Sequence, residues 1–585
     1  MLASAVKAPC VYALSGGGWS RPTAWSTFWR WKTTTVRARE IRRHLTTTPC
    51  RDPPLFITTP IFYANAEPHI GHLYSTVLAD TLQRWYRLKG HTTVFSTGTD
   101  EHGQKIQEAA ERHKMEAGPF CDMVSEKFKV LFNSANIAYT DYIRTTEPRH
   151  KKAVHFLWKL LLDRGYIYRG YHEGWYAVSD ETFYPASQIE EVAGPDGKMQ
   201  TISKESGQRV IWMKEENYKF RLSMLREPLI AWLQSNPDVI IPKTKYNEIL
   251  SALLTRADEQ LADLSVSRLR SRVQWGIMVP GDDDHVIYVW LDALANYLTV
   301  LGYPWTCPEA SDLQNAWPAQ CHVVGKDILK FHAIYWPAFL MAAGLAPPRR
   351  IVAHAHWLMG NQKMSKSRGN VVDPTKLLSM YGVDPVRYFL MRDGGITNDA
   401  EFADSMIHMR YKKDLAGQLG NLAMRCSAPR INPEMTIPSE PGVITNAEAV
   451  LDGKLRALPA VVQSRFENVE FGRGLESVFE CVSEANKYWD ACKPWILVKS
   501  SEPDARARLR TILYYAFETV RMAGLLLQPV LPQKMDQMLD DIAVEKDQRM
   551  WQNAVLGHRW RDGGDRLRRH VPLPEKRKPL FPKLN

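Results

Sequence analysis

The sequence predicts an α/β protein whose parallel-sheet domain is split by an inserted segment and followed by an all-α helical bundle. Two short runs of β-forming residues, Leu55–Thr59 and Thr92–Thr97, flank one amphipathic helix, which is the pattern of a βαβ unit. Comparable apolar runs return only beyond residues 147–287, a segment of different composition. From about residue 400 strand signals fade and helical periodicity dominates. A chain of 585 residues is too long for one compact core, so several domains are expected.

The positive charge of the chain is concentrated at its N-terminus. The net charge is +11, and the first fifty residues contain eight Lys or Arg side chains but a single acidic residue, Glu40. This segment is also rich in Ser and Thr, which is typical of an organellar transit peptide, and the remainder of the chain is only mildly basic. We therefore predict that residues 1–50 direct import into the mitochondrial matrix. A basic tail without function is the alternative.

The first elements follow from local patterns. Apolar residues recur at helical spacing from Leu73 to Leu88, and Gly90 is expected to end this helix. Val286–Trp290, His322–Val324 and Ile351–Ala355 are predicted as later buried strands, with helices between them.

The middle and the end of the chain have other textures. Segment 147–287 contains the aromatic stretch Tyr166–Tyr176 and a stretch rich in Gly, Lys and Glu, Gly194–Glu216, and we interpret it as an insertion. Helical periodicity from Met406 to Met538, interrupted by the Pro-bearing stretch Ala428–Pro441, predicts a bundle.

Membrane spans and disulfide frameworks are not expected. The longest apolar stretches, Phe331–Ala346 and Thr511–Pro532, contain polar residues and fall short of the roughly twenty apolar residues that a spanning helix needs. The eight cysteines are scattered, and residues 122–306 contain none. A disulfide framework or a Cys-based zinc site is therefore not expected.

A first candidate motif, Pro68-His69-Ile70-Gly71-His72, lies between a predicted strand and the start of the first helix. In open parallel sheets ligands bind beyond the carboxyl ends of the strands, next to helix N-termini. Imidazoles can donate hydrogen bonds to phosphate, and a glycine lets the backbone approach closely. His69, Gly71 and His72 are therefore candidate phosphate ligands, although so short a motif also arises by chance.

A second candidate is the basic segment Lys363-Met364-Ser365-Lys366-Ser367-Arg368-Gly369-Asn370, which follows Gly360-Asn361. A flexible loop with three cations in six residues can close over a triphosphate and stabilise the charge that develops as pyrophosphate leaves. Lys363 and Lys366 are the candidate catalytic cations. A solvated basic loop without catalytic function is the alternative.

Together, the two motifs and the helical C-terminal region resemble the class I aminoacyl-tRNA synthetases. The resemblance implies that an amino-acid carboxylate attacks the α-phosphate of ATP, giving an aminoacyl-adenylate and pyrophosphate. The terminal ribose of a tRNA then takes the aminoacyl group, and AMP is released. Positioning and electrostatic stabilisation suffice for such a reaction, so no nucleophilic side chain is required. ATP with Mg²⁺ is the implied nucleotide substrate.

Further stretches are similar to the methionyl-tRNA synthetase family, and the leader resembles that of its mitochondrial members. The similarity extends over about residues 52–550 and implies methionine and tRNA(Met) as the other substrates. It is carried by Thr58–Asn65, Thr99–Gly103, Tyr288–Ala293, Gly325–Ile328, Phe331-His332 and Trp336-Pro337.

Matching positions carry the family's binding residues onto this sequence. Apolar and aromatic side chains would surround the methionine thioether, and Asp100 would hold its ammonium group. The methionine set is Ile61, Tyr63, Asp100, Trp290, Ala293, Tyr297, Ile328 and His332. The ATP set is His69, Gly71, His72, Asp327, Lys363 and Lys366, of which both histidines and both lysines would be catalytic. The alternatives are that Trp290 and Tyr297 are ordinary core residues and that Asp100 is a turn residue.

The helical region would read the anticodon. Asn421 and Arg425 are four residues apart and share one helix face, and Trp495 follows Lys493-Pro494. The resemblance implies that Trp495 stacks on a base while Asn421 and Arg425 bond base edges. The alternative is a capping Asn, a surface Arg and a Trp buried in the bundle.

The predicted organisation combines these patterns with two departures from the family. Many members carry Cys-based zinc knuckles in the insertion, which is Cys-free here, so no structural zinc is expected. The tail is short for a further domain, so a monomer is expected. The predicted domains are a leader (1–50), a Rossmann-like catalytic domain in two halves (51–146 and 288–355), a connective insertion (147–287), a stem-contact region with the basic loop (356–399), an anticodon-binding bundle (400–550) and a basic tail (551–585).

Two other functions compete with this interpretation. A class I synthetase for leucine, isoleucine or valine would need a larger editing insertion, and one for cysteine would need a zinc-binding cluster. A catalytically inactive tRNA-binding paralogue would be expected to lack His69, His72 or Lys366, all of which are present.

Overall fold

The computed structural model of the chain describes residues 52–177, 182–184, 186–193, 199–204, 206–255, 261–305, 312–364, 371–557, 571–573 and 578–584. The predicted leader, 1–50, and most of the basic loop, 365–370, lie outside the described residues.

The chain enters the fold through the βαβ unit that the sequence predicts. The elements are β1 (Leu55–Tyr63), α1 (Ile70–Leu88), β2 (Thr93–Asp100), α2 (Gln104–Arg112), α3 (Ala117–Ser134) and β3 (Asp141–Arg144). The apolar face of α1 is buried, and the chain turns at Gly90, whose φ of 95° favours glycine. Both strands of the unit run further at their carboxyl ends than predicted, to Tyr63 and to Asp100.

The segment predicted as an insertion is mostly an antiparallel ribbon with short helices. Strands β4 and β8 pair over their whole length. The elements are α4 (Pro148–Asp163), β4 (Ile167–Ala177), β5 (Thr182–Tyr184), β6 (Ile189–Ala193), β7 (Met199–Ser203), β8 (Val210–Phe220), α5 (Arg226–Ser235), β9 (Ile240–Ile241), α6 (Lys243–Thr255), β10 (Leu264–Ser265), β11 (Ser267–Leu269), β12 (Met278–Val279) and β13 (Asp282–Ile287).

The second half of the α/β part follows. It comprises α7 (Val289–Leu294), α8 (Asn296–Thr299), β14 (Cys321–Gly325), a π-helix (Phe331–Tyr335), α9 (Trp336–Ala342), β15 (Ile351–His354), β16 (Trp357–Met359), β17 (Gln362–Lys363), α10 (Pro374–Tyr381), α11 (Val383–Asp393) and β18 (Ala400–Glu401). The predicted strand Val286–Trp290 is wrong, because β13 ends at Ile287 and Trp290 lies in α7. β13 also pairs antiparallel with β11 and β12, outside the parallel sheet.

The central sheet has six strands in the order β3-β2-β1-β14-β15-β9, and all neighbours are parallel. The α/β fold class with a parallel sheet is thus confirmed. The edge strand β9 comes from the segment predicted as an insertion, so that segment contributes to the main sheet as well as to the ribbon. Because all strands are parallel, the carboxyl ends of β1, β2, β14 and β15 lie along one edge, which is where the site is built.

The remainder is helical, as predicted. Its elements are α12 (Asp404–Arg410), a π-helix (Tyr411–Gly420), α13 (Asn421–Cys426), β19 (Thr436–Ile437), α14 (Ala449–Glu467), α15 (Phe471–Cys492), α16 (Pro494–Leu497), α17 (Pro503–Leu527), α18 (Pro532–Asp541) and β20 (Val571–Pro572). Among the described helices, none combines the length and apolar character needed to cross a bilayer.

Candidate active site

The N-terminus of α1 is closed by the two histidines of the first motif. His69 is the N-cap residue, and its Nδ1 accepts a hydrogen bond of 3.0 Å from the Gly71 amide. His72 Nδ1 accepts one of 3.1 Å from the His69 amide, and the two rings stack with centroids 3.8 Å apart. Since each Nδ1 is an acceptor, each neutral ring carries its proton on Nε2, which is a donor of the kind that phosphate needs.

Gly71 makes room for this arrangement. A Cβ built at position 71 would lie 2.9 Å from Cε1 and 3.0 Å from Nδ1 of His69. A larger residue would therefore displace the His69 ring from its capping position. The sequence predicts that Gly71 allows close approach of the backbone, whereas in the structure the space beside the His69 ring is the tighter requirement.

One cavity of about 430 Å³ at the carboxyl ends of the strands brings together the predicted residues of both substrate sets. Its lining includes all eight residues of the methionine set, and His69, Gly71, His72 and Asp327 of the ATP set. Trp290 lines the cavity and stacks on Phe331 with ring centroids 3.5 Å apart, so a second aromatic ring supports this part of the wall. The residues of the methionine set come from β1, β2, α7, α8 and the segments after β14, and the lining residues of the ATP set come from the start of α1 and the segment after β14.

His332 and Tyr297 form a buried hydrogen-bonded pair in this wall. Tyr297 Oη and His332 Nε2 are 2.7 Å apart, and His332 Nδ1 lies 2.9 Å from the carbonyl oxygen of Ile328. Burial lowers the pKa of His332 to about 4 and raises that of Tyr297, so both groups are neutral. Nδ1 must then donate to the carbonyl, and Nε2 accepts the tyrosine proton. The π-helix Phe331–Tyr335 places His332 in this position.

The part of the cavity that contains Asp327, one of the predicted ATP residues, lies at the ends of β14 and β15. Asp327 Oδ1 lies 2.9 Å from His356 Nε2. Lys363 lies at the end of β17, and its side chain is outside the described part of the chain, as is the whole of Lys366. The predicted phosphate contacts of both lysines stay predictions.

Three residues that line the cavity, Lys105, Ser75 and His354, were not predicted from the sequence. Lys105 lies with its Nζ 5.8 Å from the centroid of the Tyr63 ring. Ser75 Oγ lies 2.7 Å from His354 Nε2, and burial lowers the pKa of His354 to about 4, so this histidine is neutral. Ser75 lies four residues after Gly71 on α1, and this spacing, which places both residues on one helix face, could have identified Ser75 from the sequence.

A buried cluster behind the cavity was also missed. Asp292 accepts from His102 Nδ1 at 2.7 Å and from His150 Nε2 at 2.8 Å. His102 and Asp292 both belong to stretches on which the family resemblance rests, but only their neighbours Asp100, Trp290 and Ala293 were given roles.

The predicted anticodon residues all lie on the helical part of the chain, and none of them lines the cavity. Asn421 and Arg425 are on α13, and Arg425 forms a 2.7 Å ion pair with Asp490 of α15. Lys493 ends α15 in the left-handed conformation with φ of 50°, and Pro494 opens α16, so the chain turns sharply before Trp495. Trp495 is 39% exposed, which excludes the alternative that it is buried in the bundle.

Comparison with known proteins decides the family. A family model described as "tRNA synthetases class I (M)" matches residues 55–427, and one described as "Anticodon binding domain of methionyl tRNA ligase" matches residues 437–558. The chain belongs to the methionyl class I tRNA synthetase family. The predicted enzyme class, a methionine–tRNA ligase that uses ATP, is therefore confirmed.

Individual members of this tRNA synthetase family are similar over most of their length. The mitochondrial methionine–tRNA ligase of Homo sapiens is 48% identical over 511 residues, which is 84% of each chain. The methionine–tRNA ligase of Rickettsia felis is 41% identical over 528 residues, covering 89% of this chain and 98% of that one. A crystal structure of Mycobacterium tuberculosis methionyl-tRNA synthetase bound by methionyl-adenylate is 39% identical, with a TM-score of 0.82 over 90% of this chain and 100% of that chain.

No group of three or more His, Cys, Asp or Glu side chains in the described part of the synthetase is arranged to hold a metal ion. The expectation that no structural zinc is present stays a prediction.

Proposed function

We propose that the cavity forms methionyl-adenylate from methionine and MgATP, and that the same site then transfers methionine to tRNA(Met). The observation that carries this proposal is that all eight residues of the predicted methionine set and four of the six of the predicted ATP set line one cavity of about 430 Å³. Methionine would lie against Ile61, Tyr63, Trp290, Ala293, Tyr297, Ile328 and His332, with its ammonium group on Asp100.

The nucleotide would lie at the N-terminus of α1. His69 and His72 would donate from Nε2 to phosphate oxygens, Gly71 and Asp327 would contact ATP, and Lys363 and Lys366 would stabilise the charge that develops on the leaving pyrophosphate. Mg²⁺ would enter as part of the ATP complex. The chemistry needs only alignment of the methionine carboxylate with the α-phosphate, because ATP supplies the leaving group.

Transfer to tRNA would depend on the helical part. Trp495, exposed at the start of α16, would stack on an anticodon base, and Asn421 and Arg425 would bond base edges. Arg425 would have to exchange or share its ion pair with Asp490 on binding.

ATP–pyrophosphate exchange with a panel of amino acids tests the activation step. Methionine alone should support exchange, and Asp100→Asn should raise the KM for methionine because the ammonium loses its charge partner. Glu108 lies on α2, eight residues after Asp100, and is exposed, so Glu108→Gln is a matched control with the same change of charge. Exchange with none of the amino acids would refute the assignment of adenylate formation to this cavity.

Location and assembly are further proposals. We propose the mitochondrial matrix, which is supported by the composition of residues 1–50 and by relatives named as mitochondrial. A reporter fused to residues 1–50 should enter the matrix, and a cytosolic reporter would refute this. A monomer is proposed as well, and a dimer in sedimentation equilibrium would contradict it.

A further inference from the structure

Asp292, His102 and His150 form a fully or almost fully buried cluster to which the proposed chemistry assigns no task. Both carboxylate oxygens of Asp292 are bonded, Oδ2 to His102 Nδ1 at 2.7 Å and Oδ1 to His150 Nε2 at 2.8 Å. His150 Nδ1 continues the cluster to Thr299 Oγ1 at 3.0 Å. Burial alone would raise the pKa of Asp292, but the two imidazoles lower it to about 2, so the carboxylate is charged.

The cluster joins elements that are distant in sequence. His102 follows β2, His150 lies on α4, Asp292 is on α7 and Thr299 is on α8. A charged carboxylate that accepts two hydrogen bonds in a buried place holds its donors more strongly than neutral pairs do. Asp292 therefore links α7 to the loop after β2 and to α4, and α8 joins the cluster through His150.

The same elements carry the predicted methionine ligands. His102 is two residues after Asp100, and Asp292 lies between Trp290 and Ala293 in the sequence. Asp100, Trp290 and Ala293 all line the cavity, whereas Asp292 and His102 lie behind that wall. A change in the Asp292–His102 distance would thus change the distance from the ammonium ligand to the side-chain wall.

A second set of hydrogen bonds holds Glu101, the residue between Asp100 and His102. Glu101 accepts from Arg144 Nε at 2.7 Å and from Thr146 Oγ1 at 2.6 Å, next to β3. Asp100 is thus followed directly by one residue tied to the β3 side, Glu101, and then by another tied to α7, His102.

We propose that Asp292 is a positioning residue for methionine: through His102 and His150 it sets the separation between Asp100 and α7. The proposal rests on the proposed role of Asp100 as the ammonium ligand. Asp292 does not touch the substrate, so its effect should fall on the KM for methionine and leave kcat and the KM for ATP nearly unchanged.

Amide replacements of the two histidines separate positioning from simple loss of stability. The amide nitrogen of Asn occupies nearly the position of imidazole Nδ1, and that of Gln nearly the position of Nε2. His102→Asn and His150→Gln therefore keep the donor to Asp292, whereas His102→Leu and His150→Leu remove it.

In ATP–pyrophosphate exchange, Asp292→Asn, His102→Leu and His150→Leu should each raise the KM for methionine by roughly ten-fold or more, the effect of losing a hydrogen bond to a charged group. His102→Asn and His150→Gln should stay within about two-fold of the parent protein, a difference that corresponds to well under one hydrogen bond. Thermal melting of each variant reports folding independently.

Asp282→Asn is the matched control, because Asp282 also pairs with a histidine, His285, at 3.1 Å, but neither residue is adjacent in sequence to one that lines the cavity. It should leave the KM for methionine unchanged. The proposal is overturned if the Leu and amide variants of the histidines behave alike, or if kcat and both KM values change together with the melting temperature. If Asp100→Asn also leaves the KM for methionine unchanged, the proposed role of Asp100 fails; if only the cluster variants leave it unchanged, the positioning role alone fails.

Discussion

The buried ion pair between Asp80 and Arg387 should contribute strongly to stability, and Asp80→Asn tests this. Asp80 is on α1 and Arg387 on α11, both side chains are fully buried, and Oδ2 lies 2.6 Å from the guanidinium. Arg387 also donates to the carbonyl oxygens of Pro529 and Val530, each at 3.0 Å, so the pair connects the helix that opens at His69 with the loop between α17 and α18.

The size of the effect follows from burial. Burial alone would raise the pKa of Asp80, but Arg387 and Arg84 bring it below its ordinary value, so the carboxylate is charged in the folded protein. Asn keeps the shape and one acceptor but leaves the Arg387 charge buried without its partner. Breaking a buried pair in this way costs ~3–5 kcal/mol, and the retained acceptor favours a loss of about 3 kcal/mol.

Urea unfolding followed by tryptophan fluorescence measures this loss. Asp122→Asn is the matched control, because Asp122 also bonds an arginine, Arg144 at 2.6 Å, but its side chain is 68% exposed. An exposed pair contributes less than ~1 kcal/mol. Equal losses of unfolding free energy for the two variants would refute the argument that burial determines the contribution.

Three further predictions concern the site and the anticodon surface. Lys366→Ala should slow pyrophosphate exchange by ~100-fold with little change in methionine affinity, since it removes one transition-state contact, while the exposed Lys376→Ala should have no effect. Trp495→Ala should reduce tRNA charging by roughly 10- to 100-fold, the effect of losing one stacked base, and should leave pyrophosphate exchange unchanged. Ile496→Ala, a change at the exposed neighbouring residue, should leave both activities unchanged. Equal loss of both activities in the tryptophan variant would contradict anticodon stacking. Burial lowers the pKa of His332 to about 4, below the ~6.5 of an imidazole in the unfolded chain. Between these two values the unfolded chain binds more protons than the folded one, so the contribution of His332 to stability falls as the pH drops from about 6.5 towards 4. Nitrogen NMR should find neutral His332 protonated on Nδ1 at pH 6, and an imidazolium signal there would refute the assignment.

Local sequence patterns correctly predicted the elements that have a long run of regular apolar spacing or a residue such as glycine at their end. Helix α1 is an example, because nineteen residues of regular apolar spacing end next to a glycine with positive φ. The segment Val286–Trp290 is a counterexample. A short apolar run is compatible with either a strand or a buried helix. Here the pairing of β13 with β11 and the turn into α7 depend on contacts with other parts of the chain.

The sequence by itself determined which chemical groups are available: two histidines around a glycine at a helix start, a carboxylate at a strand end, aromatic side chains for a thioether and a tryptophan after Lys-Pro. Only the tertiary structure decided which of them meet. Parallel pairing puts β1 and β14 side by side although more than 250 residues separate them, as the 2.8 Å contact from Thr58 to His322 shows. The Asp292 cluster depends on the same fact, since its hydrogen bonds join residues 142 and 190 positions apart. Hydrogen bonds act over about 3 Å, so no spacing along the chain can encode them until the sheet order has brought the residues together.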